Sequence, residues 1–329
     1  MSRRLRLLAW SLVVVGLLLA IATVLFALLD PGGMADSDGV LDVVALALPG
    51  ASFFAVGALL ALRRAGNGVG WLCLTIGLVW LLFGAQNRVA AWAFNTGHIE
   101  LGAWLGTGLS NWWVLAVGLM GTHLPLRLPD GAHLSPRWRW YSWFCTAVIV
   151  LAYVVIVTEP SGGGASGSEN PFAVEWLEPL FPVFFLLPLS FLGAIASLVI
   201  RYRRADGVQL QQLRWIAFGG LVFVAEYVVA LVILVGFSFA EDGLAADLLT
   251  YLTFAAYAAI PCAIGVAILR YRLYDLGVVL NRALVYGALT ATLAAAYVGS
   301  VLLLQLALSR VSGGSDLAVA GSTLAVAAM

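Results

Sequence analysis

The sequence predicts an all-α fold, a polytopic bundle of transmembrane helices. Hydrophobic residues make up 62% of the chain, charged residues make up only 10%, and the mean hydropathy is +1.00. A soluble domain has about 25% charged residues, because its surface faces water. Apolar stretches of about 20 residues, long enough to cross a bilayer as helix, recur along the chain. We therefore expect a single membrane domain over residues 1–329, with about nine full spans and a short or truncated tenth.

The predicted spans follow the apolar stretches in chain order. They are 7–29, 41–62, 69–94, 103–126, 140–158, 177–200, 215–237, 248–269, 284–308 and 317–329. The first stretch is longer than the apolar core of a signal peptide, which has about 7–15 residues, so we expect a retained helix. The last stretch is too short for a full crossing. Its length favours a chain that continues beyond residue 329 over a re-entrant helix.

Arginines and carboxylates alternate between the connecting segments. If the N-terminus is inside the cell, every arginine except Arg88 and Arg310 falls at the inner side, and most carboxylates fall at the outer side. Short loops rich in arginine stay in the cytoplasm. We therefore expect a multi-pass protein of the cell membrane with a cytoplasmic N-terminus. Residues 159–172 then form a flexible outer loop, and residues 270–283 form a cytoplasmic interfacial segment.

Glu226, in the stretch FVAEYVVAL, lies near the middle of a predicted span. An ionisable group at that depth costs roughly 2.5 kcal/mol or more to insert, and it usually marks a functional or paired site. The alternative is a neutral carboxylic acid that is hydrogen-bonded to a neighbouring helix. A direct ion pair with Arg88 requires a tilt or a kink, because the two depths differ by about 12 Å. The sequence favours an Arg88 side chain that extends to the outer interface.

Polar and aromatic residues near the outer ends of two spans predict a polar pocket with aromatic walls. The candidate sensing or ligand-binding residues are Glu226, Arg88, Gln86, Asn87, Asn111, Trp112 and Trp113. The three cysteines, Cys73, Cys145 and Cys262, all lie in apolar stretches and indicate neither a disulfide framework nor a metal site. We expect no catalytic cluster, no metal, no cofactor and no nucleic-acid partner for this chain. The expected partner of its membrane-facing surface is the lipid bilayer.

The segment RYRLYDLGVVLNRALVYG, residues 270–287, interrupts the apolar sequence with charged and aromatic residues. It is predicted to relay a tilt or rotation between spans, although an ordinary positive-inside loop with interfacial tyrosines explains the same composition. The candidate relay residues are Arg270, Arg272, Tyr274, Asp275, Asn281 and Arg282. Small residues then recur at every fourth position, which allows close helix approach within the bundle or in a homodimer. These are Gly287, Ala291, Ala295 and Gly299.

Four stretches resemble one family of membrane regions. They are RRAGNGVGWLCLTIGL (63–78), LPLRLPDGAHLSPRWRW (124–140), RYRRADGVQLQQLRW (201–215) and YRLYDLGVVLNRALVYGALTATLAAAYVG (271–299), the last continued by GGSDLAVAGSTLAVAA. They are similar to the cytoplasmic loops and helix starts in the multi-pass N-terminal region of actinobacterial sensor histidine kinases. The resemblance spans almost the whole chain, and its last stretch is the most specific part.

In that family a phosphoacceptor domain and an ATP-binding domain commonly follow the membrane region. The three histidines of this chain, His98, His123 and His133, lack the pattern of a phosphoacceptor helix, and no glycine-rich ATP lid is present. The resemblance therefore implies the sensor half of a histidine kinase without the kinase core. It implies kinase activity only if the full-length protein continues, and a response regulator as its partner.

Two functions are consistent with these patterns. The first is a sensory, signal-transducing module of a two-component system, which relays an outside or membrane signal to the cytoplasm. The second is a small-solute transporter, because ten helices also suit carriers built from two inverted halves. No internal repeat relates residues 1–158 to 177–329, and only one charge lies centrally in a span. Both observations argue against a transporter. A membrane-embedded transferase is the least favoured alternative, because no cluster of His, Asp or Cys lies at one depth of the membrane.

Overall fold

A computed structural model describes residues 3–30, 37–108, 111–160, 170–236 and 244–270. All of them belong to one unit of the fold, Met1–Tyr271. The predicted spans 284–308 and 317–329 lie outside the described residues, as does most of the predicted interfacial segment. The same is true of the predicted packing residues Gly287, Ala291, Ala295 and Gly299.

Every regular element within the described ranges is helical, which confirms the predicted all-α class for this part of the chain. The α-helices are α1 Arg3–Leu29, α2 Ser37–Arg63, α3 Gly68–Asn95, α4 Ile99–Ala103, α5 Trp112–Gly118, α6 Leu124–Arg127, α7 Pro136–Val157, α8 Leu186–Arg204, α9 Gly207–Gly236 and α10 Leu244–Arg270. Two π-helical turns, Trp104–Gly108 and Leu119–His123, and a 3-10 helix, Glu175–Phe185, lie between them.

Six helical segments of the described residues are long and apolar enough to cross a membrane. They are Arg3–Leu29, Val43–Arg63, Gly68–Asn95, Pro136–Val157, Glu175–Arg204 and Leu248–Leu269. Each coincides with a predicted span, and together they indicate a membrane protein. The predicted count of nine full spans and a short tenth is not confirmed. The predicted spans 103–126 and 215–237 are not among the six, although α9 covers nearly all of the second.

The predicted span 103–126 is not one regular helix. Residues 99–108 and 112–127 instead alternate between α-helical and π-helical turns. Glycines at positions 102, 106, 118 and 121 leave this segment with little intrinsic preference for a regular α-helix. Gly118 and Gly121 are also pressed against the side chains of Ile149 and Phe191 from neighbouring helices. Helix packing therefore sets the local geometry here, which helical periodicity does not reveal.

The predicted span 177–200 also begins differently. Its first half is the 3-10 helix Glu175–Phe185, and α8 begins only at Leu186. Pro179 and Pro182 lie inside the 3-10 helix. A proline has no backbone N–H and its ring clashes with the preceding turn, so two prolines three residues apart disfavour α-helical geometry. Pro188 lies in the first turn of α8, where the missing N–H is tolerated.

Helix α3 lies at the centre of the first part of the bundle and contacts α1, α2, α4, α5 and α6. Its contact with α2 is especially close at two glycines. A Cβ atom on Gly57 would overlap the backbone of Leu74, and one on Gly77 would overlap the backbone of Phe54. Glycine lets two helix backbones approach in this way, as in other membrane helix pairs. Helix α10 packs on α2 and on α9, which extends the bundle.

Three connecting segments meet at the end of the bundle where α3 begins. Asn67 caps α3 by accepting a hydrogen bond from the Val69 backbone N–H at 2.9 Å. Gly131, in the connection between α6 and α7, lies directly against Asn67 and Gly68. Arg201, near the end of α8, forms a 2.8 Å ion pair with Asp130 of the same connection. The segments around 63–68, 128–135 and 201–206 therefore share one end of the bundle, which we call the arginine-rich end.

The other end of α3 gathers different segments. Asn95, the last residue of α3, donates a 2.7 Å side-chain hydrogen bond to Asp30, which follows α1. Trp104 contacts Phe172 edge to face, with ring centroids 4.7 Å apart. Asn170 is buried and donates to the carbonyl oxygens of Val157 and Glu159. The described end of the predicted outer loop 159–172 is thus fixed to α7, whereas residues 161–169 lie outside the described residues.

Candidate functional site

Glu226 lies on α9 at the contact with α10. The hydroxyl oxygen of Thr253 is 2.7 Å from Glu226 Oε1 and 3.0 Å from the carbonyl oxygen of Leu249 in its own helix. A threonine hydroxyl carries one proton, so it donates to one of these two acceptors at a time. The arrangement gives Thr253 two alternative hydrogen bonds. One is within α10 and the other joins α10 to α9.

Aromatic rings surround this pair of helices. Phe223, one helical turn before Glu226, meets Tyr257 edge to face at a centroid distance of 4.7 Å. Tyr257 in turn meets Trp80 of α3 at 5.8 Å, and Trp80 meets Phe83 at 5.6 Å. These contacts connect α9 and α10 to the central helix α3. Ring contacts of this geometry contribute about 0.5–1.5 kcal/mol each beyond the buried area.

Two buried polar atoms in this region have no hydrogen-bond partner among the described residues. They are Oε2 of Glu226 and Nε1 of Trp80. An unsatisfied buried polar group costs about 1–3 kcal/mol, and more when it carries a charge. Native proteins keep few such groups, and each one points to a bound water, a ligand or a functional role. The hydrogen bond from Thr253 is the contact that the alternative interpretation of Glu226 predicts, and the unbonded Oε2 keeps this residue a functional candidate.

Gln86 and Trp112, two residues of the predicted polar pocket, are hydrogen-bonded to each other. Gln86 is only 8% exposed. Its amide donates to the carbonyl oxygen of Leu105 at 2.7 Å, and its Oε1 accepts from Trp112 Nε1 at 2.7 Å. The Trp112 ring lies 5.5 Å from that of Tyr153 on α7. Gln86 thus joins α3 to the π-helical turn and to α5. Its polar atoms serve the packing of the helices, because both ends of the amide are already bonded.

The remaining predicted site residues make more local contacts. Asn87 donates to the Phe83 carbonyl oxygen of its own helix at 2.8 Å, and Trp113 Nε1 lies 3.3 Å from Asn111 Oδ1. Arg88 is half-buried and has neither a hydrogen bond nor an ion pair in the described part of the chain. In particular, Arg88 and Glu226 form no ion pair there. The hydrogen-bond donor to Glu226 Oε1 is instead the hydroxyl group of Thr253.

The predicted relay residues fall almost entirely outside the described part. Arg270 is the last residue of α10. Arg272, Tyr274, Asp275, Asn281 and Arg282 lie outside the described residues. The helix that carries Thr253 therefore leads directly into the predicted interfacial segment.

Thr253 was missed by the sequence reasoning, although a signal for it exists. Glu226 precedes the end of α9 at Gly236 by ten residues, and Thr253 follows the start of α10 at Leu244 by nine. Two consecutive helices that form an antiparallel hairpin place such residues at equal depth. A threonine at the depth of a buried carboxyl group is its natural hydrogen-bond partner. A search for polar residues at matched depth would have found the pair.

The His, Cys, Asp and Glu side chains of the described residues form no group of three that could hold a metal ion. The three cysteines are free thiols; Cys73 and Cys145 are buried, and Cys262 is exposed. Comparison of the chain with protein-family models, with curated proteins and with solved structures finds no match. The resemblance to sensor histidine kinases therefore stays a prediction.

Proposed function

We propose that this chain is the membrane-embedded sensory module of a two-component histidine kinase. The observation that carries the proposal is the hydrogen bond between Glu226 and Thr253, because Glu226 belongs to the predicted span 215–237, where an ionisable group usually has a function. It joins α9 to α10, and α10 ends at Arg270, where the predicted interfacial segment begins. A change in this bond alters the packing of α10 and so reaches the arginines that follow it.

The energies are of a suitable size for a switch. Hydrogen bonds between membrane helices contribute about 0.6 kcal/mol on average and about 1.7 kcal/mol at most. Loss of one such bond shifts an equilibrium between two helix packings by roughly threefold to twentyfold, since 1.4 kcal/mol corresponds to a factor of ten. The second acceptor of Thr253, the Leu249 carbonyl oxygen, allows α10 to release Glu226 without leaving the hydroxyl unsatisfied.

We further infer that the arginine-rich end faces the cytoplasm, as the positive-inside rule requires. In this arrangement Arg270 and the segment that follows it are cytoplasmic. The partners of the module are the lipid bilayer, a second copy of the chain through the predicted span 284–308, and a response regulator. A kinase core and its activity belong to the proposal only through a continuation of the chain.

The simplest test is to determine the gene sequence beyond codon 329 and the identity of the neighbouring genes. The proposal predicts an in-frame phosphoacceptor and ATP-binding region beyond codon 329, or a response regulator gene beside it. A stop codon at that point in a cluster of permease genes would contradict the proposal.

A biochemical test compares Glu226→Gln with Glu178→Gln in the full-length protein in membrane vesicles. Glu178 is exposed in the 3-10 helix and provides the same chemical change away from α9. We expect Glu226→Gln to change the rate of phosphotransfer to the response regulator by at least about threefold, because it replaces an ionisable carboxyl group at the contact between two helices by a neutral amide. Glu178→Gln should leave that rate unchanged. Equal rates for wild type and Glu226→Gln would remove Glu226 from the mechanism.

A small-solute transporter is the second candidate function. The observation that favours it is the irregular segment 99–127, because transporters often place substrate beside interrupted membrane helices. Gln86 and Trp112 lie beside this segment. A transporter predicts that Trp112→Phe, which removes the indole N–H, lowers solute uptake in intact cells while phosphotransfer stays unchanged.

A further inference from the structure

A cavity of about 310 Å³ lies at the arginine-rich end, between the α6–α7 connection and the first turns of α7. Its lining includes two guanidinium groups, two imidazoles and two hydroxyl groups. They belong to Arg127, Arg139, His123, His133, Ser142 and Thr146, and the indole of Trp143 completes the lining. None of the described residues that line the cavity carries a carboxylate. A cavity walled by hydrogen-bond donors and cations is suited to an anion.

The cations of this cavity are not neutralised by the described part of the chain. Arg201, close by, is paired with Asp130. Neither Arg127 nor Arg139 has an ion pair with a described carboxylate; Arg127 makes only a long contact of 3.4 Å to the Ser142 hydroxyl. Burial lowers the pKa of His133, and the positive charges of Arg127, Arg201 and Arg139 lower it further. The positive charges of several arginines therefore make the electrostatic potential in the cavity positive.

Hydrogen-bond donors remain free to meet a ligand there. Nε2 of His133 is buried and has no partner among the described residues. The imidazole of His123, by contrast, is held on both sides, by Thr122 at 2.8 Å and by Thr146 at 3.0 Å. His123 is only 6% exposed, so the inner wall is fixed in position. The cavity thus combines a rigid wall with an imidazole nitrogen and two guanidinium groups for which the described residues provide no hydrogen-bond partner and no ion pair, respectively.

The surroundings of the cavity are those of a membrane interface. On α7, Trp140 is 78% exposed and Trp143 is 66% exposed, and both follow Arg137 and Arg139 within the first two turns. Exposed tryptophans on a membrane helix lie at the level of the lipid headgroups. Trp143 belongs to the cavity lining and is also exposed. An anion at headgroup depth beside a lipid-facing indole is most simply part of a lipid.

We propose that this cavity binds the phosphate group of an anionic phospholipid. Arg127 and Arg139 provide the charge, His133 provides a hydrogen bond, and Trp143 packs against the glycerol and upper acyl region. Basic cavities between membrane helices on the cytoplasmic side bind anionic headgroups by the same physics. The proposal concerns lipid recognition and does not depend on kinase activity.

The test measures lipid retention by the purified full-length chain. Native mass spectrometry after exchange into mixed micelles counts bound dioleoyl-phosphatidylglycerol and dioleoyl-phosphatidylcholine. Arg139→Gln is the main variant, because Arg139 is exposed and its replacement leaves the core intact. Arg137→Gln is the matched control, since it removes the same charge from the same exposed turn outside the cavity. Arg127→Gln adds a second, half-buried variant.

We expect wild type to retain phosphatidylglycerol in preference to phosphatidylcholine. Arg139→Gln should reduce that preference by about fivefold, as expected for one arginine near an anionic surface, and Arg137→Gln should not. Equal retention of the two lipids, or equal effects of Arg137→Gln and Arg139→Gln, would overturn the proposal. A separate titration with inorganic phosphate follows tryptophan fluorescence in a neutral detergent. Saturation at millimolar phosphate without a preference for phosphatidylglycerol would show that a soluble anion, and not a lipid, occupies the cavity.

Discussion

Arg201 is a buried cation that connects three parts of the chain. It is only 4% exposed. Its guanidinium donates to the carbonyl oxygens of Leu126 and Ala132 and forms the 2.8 Å ion pair with Asp130. The planar fork of an arginine presents several donors in fixed directions, which a lysine cannot reproduce. Arg201 thereby fixes the α6–α7 connection against the end of α8.

Arg201→Met should therefore destabilise the fold by about 2–3 kcal/mol, because the buried Leu126 carbonyl oxygen and the partly buried Ala132 carbonyl oxygen lose their donor. Asp130→Asn should cost less than about 1 kcal/mol, since Asp130 is 45% exposed and an ion pair with an exposed partner contributes little. Chemical denaturation in detergent, followed by far-UV circular dichroism, measures both values. A larger effect of Asp130→Asn than of Arg201→Met would show that the ion pair, and not the carbonyl bonds, fixes the connection.

The Glu226–Thr253 contact makes a prediction that is independent of signalling. A double-mutant cycle of Glu226→Leu and Thr253→Val should give a coupling free energy of about 0.6–1.7 kcal/mol, the range for hydrogen bonds between membrane helices, because each change removes the contact. The cycle of Glu178→Leu and Thr253→Val is the control and should give no coupling, because Glu178 is exposed in the 3-10 helix. Additive effects in the first cycle would mean that the observed contact has no energetic weight.

His133 should make stability depend on pH. Its pKa is lowered in the folded chain, mainly by burial and then by Arg127, Arg201 and Arg139. The unfolded chain therefore takes up the proton first as the pH falls below about 6.5, and the fold loses stability there. The Tm of wild type should fall more between pH 8 and pH 5 than the Tm of His133→Gln. Ser135→Ala, a neighbouring change without a titrating group, should behave like wild type; equal slopes for His133→Gln and wild type would contradict the assignment.

At the scale of elements, the α2–α3 contact depends on glycine. Gly77→Val should destabilise the fold by about 1–3 kcal/mol or more, because its side chain would overlap the backbone of Phe54. Gly220→Ala on α9 is the control. Its Cβ meets nothing within 4 Å, so the change should be neutral or slightly stabilising, as for glycine elsewhere inside a helix. Thermal unfolding of both variants in one detergent compares them, and equal stability would show that α2 and α3 separate readily.

Some helices could be located from the sequence and others could not. Apolar length located α1, α3 and α7 closely, because a bilayer fixes the length of a spanning helix. The same reasoning gave a regular span at 103–126, where contacts of Gly118 and Gly121 with other helices set the local geometry. The basic cavity escaped notice for a similar reason. His133 comes from a connection and Arg139 from α7, and only the fold brings them to one space.

At the scale of the whole molecule, the described contacts sort the connecting segments into two groups. Segments near 63–68, 128–135 and 201–206 meet at one end of α3, and Asp30, Asn95 and Phe172 belong to the other. The sequence grouped these segments in the same way from charge alone. Arginine distribution predicts such grouping well, because each loop is subject to the same bias.

Cysteine labelling tests which end faces the cytoplasm. In a background without Cys73, Cys145 and Cys262, single cysteines replace exposed residues at each end. They are Gly66→Cys and Arg204→Cys at the arginine-rich end, with Glu100→Cys and Glu175→Cys at the other. In right-side-out vesicles, a membrane-impermeant maleimide should label only the second pair. Labelling of the first pair alone would invert the orientation, and mixed labelling within a pair would disprove the grouping.

The glycine contact between α2 and α3 has a mechanical consequence. Where two backbones touch without intervening side chains, neither helix slides or turns without a steric clash, so the two form one stiff support. Helix α10 packs on α2 as well, and there side chains such as Val56 lie between the backbones, at ordinary van der Waals distance from the Cβ position of Gly265. If the proposed sensory function is right, a stimulus should displace α10 against α2 and leave α2 and α3 together. Distances measured between spin labels on α2 and α3 should stay constant while those from α2 to α10 change.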